Sequence, residues 1–448
     1  MLTHYCTIII IIILIKRVST MNKLVLLLAL NLFVFQAHAL LSDEEKENLT
    51  DTFLENSSTE IKISLKNKIL SGKIKNLSKK QAKYIKNNIE KFCCTLVWIT
   101  KLNLNQCKIQ SLPENIINLT QLKTLDLSEN NIEKLPDEIG KLENLKKLNV
   151  SENKISNLPN SIGALKKLEA LNILGNKIKT LPDTIVNLKK LFIFNASGNK
   201  ISNFPKTLGS LIKLQTLDLS NNKISTLPDI AEGFNALEDL DLSDNLIKSL
   251  PNITGGLSKL TKLNLSGNKI ELSPDVLKKL MNLQFLDLSD NQIETLPDEI
   301  QELSELIHLD LSYNKIVTLP DTIVELSNLK NLYLFDNSIE ALPHTISKLT
   351  KLETIDLSNN KNLLSLPSSL RNLKNSVCLL KLIDTNIQIS CEGGALGQIQ
   401  LEEIFGKRVV FSQGENKTEF SNPILAQLMN SDSFKLCILI AHLRSHFH

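Results

Sequence analysis

Three histidines are the first residues whose spacing could do chemistry. His442 and His446 stand four apart, with His448 beside them. On a helix that spacing puts two imidazoles on one face, where they could hold a metal. No glutamate accompanies them in an HExxH arrangement, so a terminal tail is the simpler account. Gly393, Gly394 and Gly397 could cradle a phosphate only inside a strand–loop–helix frame with set glycine spacing, and that frame is missing. Aspartates recur at 126, 218, 241, 287, 310 and 356 and could be mistaken for acid/base pairs. They recur in step with a period, which marks them as scaffold. No cysteine cluster has zinc-ligand spacing. These residues give no catalytic, cofactor or metal site, and the chain is not expected to be an enzyme.

The period is the dominant feature. Leu122, Leu125, Leu127, Asn130, Ile132, Leu135, Pro136, Ile139 and Leu142 return 23 residues later as Leu145, Leu148, Val150, Asn153, Ile155, Leu158, Pro159, Ile162 and Leu165. Cys107, Asn130, Asn153, Asn176, Asn199, Asn222, Asn245, Asn268, Asn291, Asn314, Asn337 and Asn360 mark one column, every interval being 23. Twelve of the 13 prolines fall between Pro113 and Pro367. A degraded unit follows with Val377, Leu380, Leu382, Thr385 and Ile387. Alternating leucines require a short strand with its apolar side chains turned inward. One such unit cannot close a core, so neighbours must stack. An amide side chain both donates and accepts, so the Asn column can pair the backbone groups of buried turns as a ladder. Proline after the turn ends sheet pairing and presets the return on the opposite face.

The motif LxxLxLxxNxIxxLPxxIxxLxxL, as in residues 122–145 and 283–306, resembles the 23-residue Ras-suppressor and Ras-group class of leucine-rich repeats. The resemblance covers residues 99–388. It implies an α/β solenoid, a horseshoe of about 13 repeats with a parallel concave β-sheet, capped at both ends. It also implies a concave face that binds a protein. Intracellular members of the class act on small GTPases or phosphatases. Some bacterial effectors of the class carry a C-terminal ubiquitin ligase domain, but the roughly sixty residues left here are too few for one.

The flanks bear on compartment. Residues 21–39 have a lysine, an apolar run from Leu24 to Phe35 and Ala37-His38-Ala39, the layout of a secretory signal. The run is short for a membrane span. Residues 1–20 add a second apolar run followed by Lys16 and Arg17, read as a gene-model extension. The alternative is an uncleaved anchor built from both runs. Residues 40–95 form an N-terminal flank and helical cap, 96–388 the repeats and 389–448 a C-terminal cap, with a short helix and strand over 401–411. Cleavage after Ala39 would leave Cys93, Cys94, Cys107, Cys378, Cys391 and Cys437, an even number that suits an oxidising compartment, although buried free cysteines are equally ordinary. The net charge of +3 implies no strong field for nucleic acid or anionic membrane.

Function is expected where the repeat's monotony breaks. The position between the two core leucines runs through Asn103, Asp126, Asn149, Asn172, Asn195, Asp218, Asp241, Asn264, Asp287 and Asp310 and is read as solvent-facing. Serines fill most of the next outward column. Phe285, His308, Tyr313, Tyr333 and Phe335 interrupt both columns and their neighbours in repeats 9 to 11, with weaker breaks at Leu174 and Ile193. Aromatic side chains make up 4% of the chain, and aromatics are the usual anchors of interfaces. The competing account is stacking within the sheet. The expected function is that of a secreted, non-catalytic protein-binding scaffold using the concave face, with no nucleic acid, no cofactor and no membrane span in the mature chain. The alternative is an intracellular scaffold of the Ras-suppressor kind.

Overall fold

The computed structural model describes residues 100–411, apart from 204, 206, 228–232, 251–256, 374–375, 377–378, 389–395 and 397. The leader, the N-terminal flank and the His442–His446 pair lie outside the described residues, as do all the expected half-cystines except Cys107. Thirteen three-residue strands, β1 to β13, recur from Lys101–Asn103 to Leu379–Lys381. They include β2 (Thr124–Asp126), β9 (Phe285–Asp287), β10 (His308–Asp310), β11 (Asn331–Tyr333) and β12 (Thr354–Asp356). A two-residue strand, β14 (Val409–Val410), adds to β13. The fourteen strands form one parallel sheet in strict sequence order. Leu309, for example, pairs with Leu286 on one side and Leu332 on the other. The sheet is open, as a horseshoe requires.

The core follows the repeat. Leu125, Leu127, Ile132, Leu135, Ile139 and Leu142 have no exposed surface, and their equivalents form one continuous cluster through every turn. Full burial of each such side chain stabilises by about 1.5–3 kcal/mol, but only with a neighbouring turn to bury it against. On the convex side the chain returns through short 3-10 helices such as Asn160–Ala164 and Asp321–Glu325. Pro159 and Pro320 precede these two in extended conformation, with φ of −70° and −66°, which is the value the ring imposes. Beyond the repeats, α2 (Gln398–Phe405) leads into β14; α1 (Pro274–Leu277) is a single turn in repeat 8. The helix and strand expected over 401–411 are therefore present, and the strand prolongs the repeat sheet.

The asparagine ladder is complete from Asn130 to Asn360. In each rung the amide oxygen accepts the N–H of a residue 21 positions earlier, as Asn130 does from Ile109 at 2.9 Å and Asn360 from Ile339 at 2.9 Å. The amide nitrogen donates to a carbonyl 26 positions earlier, as Asn130 does to Leu104 at 2.8 Å, and to carbonyls of its own turn. The end substitutes make shorter reaches. Cys107 Sγ, a buried free thiol, donates to the Asn105 carbonyl at 3.4 Å, and Thr385 Oγ1 donates to the Leu382 carbonyl at 2.8 Å.

Candidate protein-binding face

The column between the core leucines is less open to solvent than the sequence expectation has it: five members are buried, and Asn172, Asp218, Asp241, Asn264, Asp287 and Asp310 are half-buried. Asp126 is 1% exposed, and Asn103, Asn149, Asn195 and Asp356 are also buried. On the inside of a curved stack these side chains crowd one another, and they fold down onto their own strand ends. Asp126 Oδ1 accepts both the backbone N–H of Ser128 at 2.9 Å and its hydroxyl at 2.6 Å. Asp241 and Asp287 hold Ser243 and Ser289 in the same way. The Asx–Ser pair is thus a strand-end cap, and its monotony is structural. Asn149 and Asn195, both in glycosylation sequons, are committed to this cap.

A second rule concerns the backbone at the turn. The residue just before each ladder position has positive φ: Glu129 54°, Glu152 52°, Gly175 65°, Asp244 51°, Asp290 50°, Tyr313 55° and Asp336 53°. Gly, Asn and Asp tolerate the left-handed region; a bulky ring does not, at a cost of about 1 kcal/mol. Tyr313 is the aromatic at this turn position and is 53% exposed.

Around it the five expected site residues form two ring assemblies. Phe285 and His308 occupy directly paired positions on β9 and β10 and stack at 4.4 Å with 6° between planes. Tyr333 continues this row from β11, 5.1 Å from His308 and tilted by 47°. Tyr313 and Phe335 make a separate edge-to-face pair at 5.0 Å. All but Tyr313 are half-buried. His308 is neutral: burial pushes its pKa down to about 4, and its Nδ1 has no hydrogen-bond partner. Tyr333 lies in register between Asp310 and Asp356. Burial first, then these two carboxylates, push its hydroxyl up to about 12. The weaker breaks are of another kind. Ile193 is 2% exposed and packs with Ala170 and the half-buried Phe192.

Sequence reasoning passed over the carboxylates as scaffold. Asp287 and Asp310 are paired in register beside the rings, and burial raises both, Asp310 to about 6 with Asp287 adding to the effect. Their signal in the sequence was that they share a column with Tyr333. Among the described residues no cluster of His, Cys, Asp or Glu could hold a metal ion, and no helix is long and apolar enough to cross a membrane.

A family model described as leucine-rich repeat region matches residues 75–155, 138–205 and 265–338. Other leucine-rich-repeat models match 204–247, 235–279 and 351–373. No curated protein matches the chain in sequence. Among solved structures, a leucine-rich-repeat protein of Leptospira interrogans is 34% identical with a TM-score of 0.59, over 70% of this chain and 84% of that one. The functional domain of InlJ from Listeria monocytogenes is 23% identical with a TM-score of 0.57, over 71% of this chain and 64% of its own. TLR13, in complex with ssRNA13, is 23% identical with a TM-score of 0.56, over 80% of this chain and 62% of its own. The last two likenesses are of fold alone.

Proposed function

The chain belongs to the leucine-rich-repeat proteins, and from that premise we propose that it is a secreted, non-catalytic scaffold whose concave face binds a protein through repeats 9 to 11. The observation that carries this reading is the pair of ring assemblies. Tyr313 keeps half its surface in water at a turn where its backbone is strained, and nothing in the repeat requires a ring there. Strain retained at a surface residue points to a use other than folding. Protein is favoured over nucleic acid because the face around the rings carries Asp287, Asp310 and Asp356, which would repel phosphates. Secretion rests on the signal layout of residues 21–39. Expression from Met21 in a eukaryotic secretory system is expected to deliver protein to the medium with its N-terminus at Leu40. An intact leader on cell-associated protein would favour the anchored or intracellular alternative.

The face is tested with Tyr333→Asn and Phe335→Ser together. Asparagine is the choice at 333 because aspartate would set three carboxylates in a row about 4.8 Å apart; Asn149 and Asn195 show that the column accepts an amide. Losing two ring contacts should lower stability by about 1–2 kcal/mol, which leaves the fold intact. Partner capture from culture medium or cell lysate is expected to fall by a factor of about 30 or more, a hot-spot magnitude. Asp218→Asn, far from the rings, should leave capture unchanged. Undiminished capture by the double variant would assign the rings to sheet packing alone.

A further inference from the structure

The strand face of repeats 9 to 12 is charged as well as aromatic. At its outward strand and turn positions it presents Asp287, Asp290, Asp310 and Asp336, with the buried Asp356 at its edge, and no lysine or arginine, in a chain whose net charge is +3. Lys330, immediately before β11, is already paired with Glu353 at 2.8 Å. One strand further on, β13 shows how the column is neutralised: Lys381 Nζ lies 3.2 Å from Asp356 Oδ2. Asp310 and Asp287 have no such partner among the described residues. Each uses Oδ1 to cap its own serine, at 2.9 Å from the backbone N–H. These two carboxylates sit side by side, half-buried, with the Phe285–His308 stack beside them and Tyr333 in register with Asp310.

Resting on the reading of this face as the protein-binding surface, we propose that it takes a basic segment of the partner, seating an arginine side chain between Asp287, Asp310 and the Tyr333 ring. A guanidinium is planar and forked, so it can reach carboxylates on adjacent strands while lying against an aromatic face. Cation–π attraction and charge pairing then act on the same group, and both strengthen as water leaves the curved face. An apolar partner would instead bury both carboxylates without a counter-charge, which is costly. A flat apolar contact is therefore the wrong chemistry for a surface built this way.

The experiment measures binding of the full chain to a fluorescein-labelled peptide of alternating arginine and serine, about ten residues long, by anisotropy. The same peptide with citrulline for arginine keeps the planar shape, removes the charge and replaces one NH2 donor with a carbonyl acceptor. The arginine peptide is expected to bind at least tenfold more tightly than the citrulline peptide. Asp310→Asn should remove most of that preference; the amide keeps the Ser312 cap and removes a carboxylate that burial disfavours when ionised, so the variant should melt no lower than the parent. Asp218→Asn should keep it. Equal binding of the two peptides, no binding of the arginine peptide, or an unchanged preference in Asp310→Asn would each overturn the arginine assignment. Those results leave the protein-binding face itself standing, because Tyr333→Asn with Phe335→Ser is read out separately on the captured partner.

Discussion

Asn222→Leu is expected to lower the solenoid's stability by about 3 kcal/mol, the sum over buried backbone groups left unpaired. Asn222 is 8% exposed. Its amide oxygen accepts the Ile201 N–H at 2.9 Å, and its nitrogen donates to the carbonyls of Ala196, Leu219 and Ser220, each at 3.0 Å. Leucine fits the volume but offers no polar atom. The Ile201 N–H and the Ala196 carbonyl belong to the preceding turn, so the damage crosses the interface between repeats 5 and 6. A repeat array unfolds as units joined by nearest-neighbour contacts. The urea transition should therefore move to lower concentration and broaden or split, as the halves uncouple. Hydrogen exchange gives the local reading, since the Ile201 amide should lose protection while its ladder equivalent Ile316 keeps it. An unshifted midpoint with Ile201 still protected would show that the ladder is decoration.

Asp126→Asn should act in the opposite direction and with similar size. Asp126 lies on β2 between Asn103 and Asn149, is 1% exposed, and its Oδ2 has no hydrogen-bond partner. Burial pushes its pKa up to about 7; the Ser128 hydrogen bonds oppose this and Glu129 adds to it. The unfolded chain holds the same carboxyl near 3.9. Between these values the folded state binds more protons than the unfolded one, so stability is greatest at acid pH and falls as pH rises through 4 to 7. The full shift corresponds to about 4 kcal/mol, and relaxation around the carboxylate brings the expected loss to about 2–4 kcal/mol at pH 8. Asp241 and Asp310, both raised to about 6 by burial, add slope of the same sign. Asn occupies this column in five neighbouring repeats, at 103, 149, 172, 195 and 264, so the substitution keeps the Ser128 cap. Melts of parent and variant at pH 4.5 and pH 8 should differ by about 1 kcal/mol at the lower pH and by more at the higher, the variant being more stable. A variant no more stable than its parent at pH 8 would mean that Asp126 is solvated or paired when ionised.

The ring residues show how far residue types reach. Phe285, His308, Tyr313, Tyr333 and Phe335 stand out because each is an aromatic or imidazole ring in a column that no repeat outside 9 to 11 fills with a ring. Column membership follows from the 23-residue period alone, and so does the pairing of Phe285 with His308. What the rings do with that proximity does not follow. Tyr333 pairs in register with Asp310 but meets His308 diagonally, while Tyr313 and Phe335 turn toward each other and away from that row. Rotamers decide this, and rotamers depend on the space each neighbour leaves.

The amino-acid sequence by itself determined the repeat, the parallel register, the inward leucines and the asparagine ladder. Each is a consequence of stacking one unit on an identical one, and a fixed period leaves a single way to align them. The tertiary structure decided which polar columns meet water. Curvature brings side chains on the inner face closer together than on a flat sheet, so Asp126 and four of its equivalents are buried and the others half-buried, although no residue type announces it. It also decided that the turn before every ladder position is left-handed, which makes Tyr313 a strained residue and not merely an aromatic one. Exposure and strain belong to the assembled stack, because both are set by neighbours 23 residues away in sequence and one strand away in space.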